Sequence, residues 1–142
     1  MECQEISIRL YKKSLERITK TAPQFLNRFY YHFMGIGPVV ALMFRGRNME
    51  RIKRKLMTTM ELVADKVDQV PGTIMYLELL GRIHNRRQVT IDLLRAWRNA
   101  LISTVSECDP EFDENIRLSW LEVLDSVIAE MYKYDIRDKS SS

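Results

Sequence analysis

The sequence predicts an all-α fold in a single domain. Three observations carry this reading. Apolar residues recur every three or four positions and not every second one, and only 5 glycines and 4 prolines interrupt them. The chain, at 142 residues and 46% hydrophobic content, is large enough for one sizeable core and too small for two. Charged residues make up 29% of it, with a formal net charge of +3. That mild basic excess is far from the balance of a dedicated nucleic-acid binder, so no nucleic-acid partner is expected.

The first helix follows from Ile8, Tyr11, Leu15, Ile18 and Ala22 on one stripe, with Lys12, Lys13, Glu16 and Arg17 around the rest of the cylinder. Thr21 followed by Pro23 reads as a restart, because proline is tolerated in a first turn, and Phe25, Phe29 and Phe33 then carry a second helix that Gly35 and Gly37 end. Pro38 opens a short turn-rich or helical connection through Val39, Leu42 and Phe44. From Asn48 a longer helix turns Met49, Ile52, Leu56, Val63 and Val67 inward beneath a heavily charged outer face. Pro71 and Gly72 begin the next, whose inner stripe is Leu77, Leu80, Gly81 and His84. One helix is expected from about Ile91 to Val105. The last is expected to take Asp109 as its cap and Pro110 as its first residue, and carries Ile116, Trp120, Leu124, Val127 and Met131. The domain is expected over 1–136, with 137–142 as a disordered tail.

The longest apolar stretch, Ile36 to Phe44, is broken by Gly37 and Pro38 and falls short of the roughly 20 residues that span a bilayer, so no membrane span is expected. Met1 to Lys20 mixes Glu2, Glu5, Arg9, Lys12 and Lys13 among its apolar residues and lacks the hydrophobic run of a signal peptide. A cytoplasmic location is the expectation. Cys3 and Cys108 are the two cysteines, too few for a disulfide framework, and both read as free thiols.

His84, one of 2 histidines, is a titratable ring on an apolar stripe. It is either a satisfied core residue or a ligand. Conventional zinc chemistry is a poor fit, since a closed site needs about four ligands and the chain has neither a Cys-x-x-Cys nor a His-x-x-x-His pair. Haem fits better because it brings four ring nitrogens and asks the protein for one axial imidazole. Without Cys-x-x-Cys-His, it would be a non-covalent haem b.

Leu80-Gly81-Arg82-Ile83-His84, followed by Val89, resembles the proximal helix of globins and its exit. Phe29-Tyr30-Tyr31-His32-Phe33-Met34 is similar to the second helix of the bacterial flavohaemoglobin and Vitreoscilla haemoglobin group. There a phe-tyr pair places the tyrosine over the iron. Pro38 to Phe44 resembles the corner that ends in the haem-wedging phenylalanine, and Trp120 the tryptophan of the last globin helix. The resemblance runs from about Leu15 to Met131 and implies a globin fold of about six to eight helices around a haem pocket.

It further implies His84 as the iron ligand, with Phe44, Lys55, Leu56, Leu80 and Val89 as haem neighbours and Tyr30, Ile52 and Leu56 on the distal, gas-binding side. Gly81 would let the helix approach the flat macrocycle. Tyr30 and His32 lie about 200° apart around a helix, so if Tyr30 faces the pocket His32 faces away. Ile52 stands where relatives usually carry glutamine or histidine, leaving the Tyr30 hydroxyl as the polar group for a ligand. Tyr30 or Lys53 could fill the sixth iron position without gas. The basic run Arg45, Arg47, Arg51, Lys53, Arg54 and Lys55 reads first as a solvated face, then as a source of propionate contacts through Lys55, then as a docking patch for an acidic partner such as a reductase.

The implied function is reversible binding of oxygen, with NO or CO as further ligands. The tyrosine that supports the proximal histidine in flavohaemoglobins falls near Leu94, and no matching glutamate is clear in the last helix, which speaks against strong oxygen activation. Two alternatives stand beside it: a nitric oxide dioxygenase served by a separate reductase, and a globin-like gas-sensing or signalling module. The molecule would be a monomer or homodimer.

Overall fold

A computed structural model describes residues 2–67, 73–87 and 89–132. Within them the chain forms seven helices and no strand: α1 (Glu2–Thr19), α2 (Ala22–Met34), α3 (Pro38–Phe44), α4 (Met49–Val67), α5 (Thr73–Arg86), α6 (Ile91–Cys108) and α7 (Glu114–Tyr132). The expected tail and the expected Pro71-Gly72 helix start lie outside the described residues.

The central element is α7, against which α1, α5 and α6 all pack. Its buried residues, Ile116, Trp120, Val123, Leu124, Val127, Ile128 and Met131, follow the helical period widely enough to serve several neighbours at once. Each such side chain taken fully out of water stabilises the fold by about 1.5–3 kcal/mol before entropy is counted. The apolar stripe of α1 is inward as expected, with Ile8, Tyr11, Leu15 and Ile18 buried. The Tyr11 hydroxyl donates to the Met60 carbonyl at 2.6 Å and ties α1 to α4. In α2, Phe25, Phe29 and Phe33 are buried and the helix lies on α6.

Local chemistry sets most boundaries. Asn48 caps α4 by accepting the Arg51 N–H on Oδ1 at 3.2 Å, and Thr90 caps α6 by accepting the Leu93 N–H at 3.1 Å. Gly46, between α3 and α4, has φ of 76°, the left-handed region that glycine enters without a steric penalty.

The start of α7 differs from the sequence expectation. Asp113 is the cap, accepting the Ile116 N–H at 2.8 Å, and the helix begins at Glu114. Pro110 instead sits in a turn closed by the Phe112 N–H on the Asp109 carbonyl, where its fixed φ suits the first corner position. The Asp109 carboxylate is turned into the protein. Ser14 Oγ donates to it at 2.6 Å, Arg17 Nε at 2.6 Å and Arg17 Nη2 at 2.9 Å. Trp120 Nε1 donates to the same Ser14 oxygen at 2.9 Å, so an unbroken chain of donors runs from indole to hydroxyl to carboxylate. Burial alone would raise the Asp109 pKa, but the bonds from Arg17, Ser14 and the Glu111 N–H outweigh it and hold the group below its ordinary value.

No helix among the described residues is long and apolar enough to cross a membrane.

Candidate functional site

His84 stands in the last turn of α5, where the sequence stripe placed it. Its Nδ1 is sealed from solvent and has no hydrogen-bond partner among the described residues. Burial pushes the ring's pKa below the usual histidine range, so the imidazole is neutral at pH 7 and one nitrogen keeps a free lone pair. An unpartnered buried polar atom costs about 1–3 kcal/mol, which marks this ring as more than filler. The backbone fixes where it stands: the His84 carbonyl accepts the N–H of Arg87 at 3.1 Å and of Val89 at 2.9 Å, ending the helix there. The Val89 carbonyl in turn accepts the Tyr132 hydroxyl, fastening the exit of α5 to α7.

Tyr30, on α2, is only 5% exposed. Its ring meets Phe29 edge-on at 4.7 Å and Phe44 edge-on at 5.6 Å, and Phe44 also meets Phe33 at 5.9 Å. The short helix α3 thus delivers Phe44 against the tyrosine. No hydrogen bond engages the Tyr30 hydroxyl among the described residues, and burial raises its pKa, so it stays protonated and available as a donor. Ile52 and Leu56 on α4, Leu80 on α5 and Val89 belong with Tyr30 and Phe44 to one apolar cluster. The fold thus holds a lone-pair donor on α5 and a proton donor on α2.

Not every residue singled out in the sequence joins them. Lys55 is exposed on α4 and has no ion pair among the described residues. The Lys53 ammonium is drawn to Asn27 Oδ1 at 2.6 Å and lies 3.6 Å from Glu50, which holds it at the surface between α4 and α2. His32 faces away from Tyr30's side, half-exposed, with Nε2 2.9 Å from Glu107 on α6. Gly81 requires a correction. A Cβ there would lie 2.3 Å from the Met131 carbonyl oxygen, so its missing side chain admits the α7 backbone and not a flat ligand. Leu94 is buried on α6, and no side chain there or elsewhere among the described residues bonds His84 Nδ1. Two tethers escaped sequence reasoning, Tyr132 to Val89 and the Asp109 cluster, because their partners lie 43 and 92 residues apart with no local pattern joining them.

No protein-family model matches the chain, and the comparison with curated proteins gives no match. Among solved structures, the chain is similar to the protein PA3967 from Pseudomonas aeruginosa PAO1, described as structurally highly homologous to a human haemoglobin. The TM-score is 0.82 at 24% sequence identity, over 90% of this chain and 97% of that one. At this identity the likeness speaks to fold and to nothing narrower; the arrangement of the seven described helices is a globin fold.

Proposed function

We propose that this protein is a haem-binding globin that takes up oxygen, and NO or CO, at an iron held by His84. The observation that carries the reading is the orphaned, solvent-sealed Nδ1 of a neutral imidazole at the end of α5 in a globin fold. A ring in that state can direct one nitrogen at a metal while the other waits for a weak partner. When bound, haem supplies the iron that coordinates the gas, and a single protein imidazole suffices because the macrocycle contributes the other four nitrogens. Phe44, Leu56, Leu80 and Val89 would enclose it in hydrocarbon and exclude water. Lys55, exposed on α4 and without an ion pair among the described residues, would meet a propionate at the mouth. The Tyr30 hydroxyl would donate to the ligand, with Ile52 and Leu56 beside it offering no competing polar group.

The missing partner at His84 Nδ1 favours gas binding over oxygen activation. A carboxylate on that nitrogen would make the imidazole a stronger donor, and none reaches it among the described residues. The resemblance to the flavohaemoglobin and Vitreoscilla group supports Tyr30 as the distal donor, and a soluble, cytoplasmic setting suits this role.

Titration of the purified chain with haemin tests the reading. One equivalent is expected to give a Soret band and a carbon monoxide complex, and His84→Ala is expected to lose both. A variant that keeps the parent's spectra removes His84 as the ligand, and a parent that takes up no haemin overturns the proposal.

A further inference from the structure

The helix α3 buries Val40 and half-buries Phe44, yet leaves Val39 at 64% and Leu42 at 60% exposure, with Ile36 just before it at 53%. Val39 and Leu42 stand one turn apart on the same side of the helix. Three of the seven exposed large apolar residues among those described therefore fall within positions 36–42. Clustered exposed hydrocarbon of this kind marks an interaction site more often than scattered single residues do.

Along α3 and the segment that follows it the charge is strongly one-sided. Positions 38–55 hold six basic residues and one acidic one, Glu50, a net of +5 in a chain whose total is +3, so the rest of the molecule is net −2. Lys53 is engaged by Asn27 and Glu50, whereas Arg45, Arg47, Arg51, Arg54 and Lys55 are exposed and carry no ion pair among the described residues. Arg47 Nε donates to the Met43 carbonyl at 3.1 Å, which lays this guanidinium against the last turn of α3.

We propose that the corner formed by α3 and the start of α4 is a docking surface for a protein partner that presents carboxylates around an apolar centre. Charge complementarity selects the occupant. A second copy of this chain meeting it patch to patch would bring like charges together. An anionic membrane would be poorly gripped by a helix of seven residues with two aliphatic side chains on its outer face. Arginine predominates over lysine, and its planar fork is suited to carboxylates and enriched in protein interfaces. Since α3 also holds Phe44 against Tyr30, a seated partner would press on one wall of the candidate site. The inference stands apart from the haem reading and does not need the cofactor.

The test uses the full isotope-labelled chain, titrated by NMR with a synthetic helical peptide carrying leucines on one face and glutamates on the others. Shifts confined to residues 36–55 are expected, with affinity falling by about 10-fold or more between low and about 300 mM salt. Leu42→Glu and the pair Arg51→Glu with Arg54→Glu are each expected to weaken binding by about 10-fold. These side chains are exposed, and circular dichroism verifies that the variants fold. A polyglutamate peptide of equal length should bind at least about 10-fold more weakly. The proposal is overturned by shifts elsewhere or none, by polyglutamate binding equally well, or by phosphatidylserine vesicles capturing the chain while the peptide does not.

Discussion

Burial acts on Tyr30 and His84 in opposite chemical senses with complementary results. It raises the phenol's pKa and lowers the imidazole's, so near neutral pH one stays a proton donor and the other a lone-pair donor. Neither is consumed by a side-chain hydrogen bond among the described residues, which makes Tyr30 open to a clean test. Tyr30→Phe removes only an oxygen that bonds nothing among the described residues, so stability should change by less than about 1 kcal/mol. A phenol donating to a partly charged ligand contributes about 1.5–3 kcal/mol, so oxygen release in stopped-flow should speed up by about 10- to 100-fold in the variant. An unchanged rate would take Tyr30 out of this role. The inward placement of both residues was legible in the sequence because each sits on a regular helix, where spacing fixes direction; His32, two positions from Tyr30, turned outward for the same reason. Lys53 was not legible, because a long flexible side chain goes where its partner is, and Asn27 lies on another helix.

Helices differ in how much of their placement the sequence could carry. The inward stripes of α1, α2 and α7 were readable because apolar period alone decides them, whereas the start of α7 depended on which of two aspartates caps it. Asp109 was the plausible choice locally, and only its distant partners exclude it. Gly81 shows the same limit on α5: sequence marks a close approach without saying to what. In the fold it is the crossing of α5 on α7, three residues before His84, so the contact also sets the ring's position. Gly81→Ala places two effects in opposition. Alanine favours an isolated helix by about 1 kcal/mol, but its Cβ would meet a backbone carbonyl that cannot swing aside. Overpacking should win, with a net loss of about 1–3 kcal/mol in urea unfolding. A variant as stable as the parent, or more so, would mean that the two helices do not approach this closely.

Across the whole molecule, the Asp109 cluster joins α1, the corner after α6 and α7 in one set of buried bonds, with Asp109, Ser14 and Trp120 almost wholly enclosed. Such a network fixes how the first helix lies on the last, a relation that no local periodicity encodes. It also makes stability depend on pH in a definite direction. The folded pKa of Asp109 lies below its unfolded value of about 3.9, so its contribution is complete above that value and is lost as pH falls through the folded pKa. Asp109→Asn keeps the shape but leaves the Arg17 guanidinium, 19% exposed, with only the longer pairing to the exposed Glu111 carboxylate at 3.7 Å. Losing charge-assisted bonds to a partly exposed guanidinium costs about 1.5–3 kcal/mol, so the variant should unfold at lower urea at pH 7. The gap between variant and parent should close steadily below about pH 4, because the parent's carboxylate is then protonated too. A difference that stays constant from neutral to acid pH would show that hydrogen-bond geometry, and not charge, holds α1 to this corner.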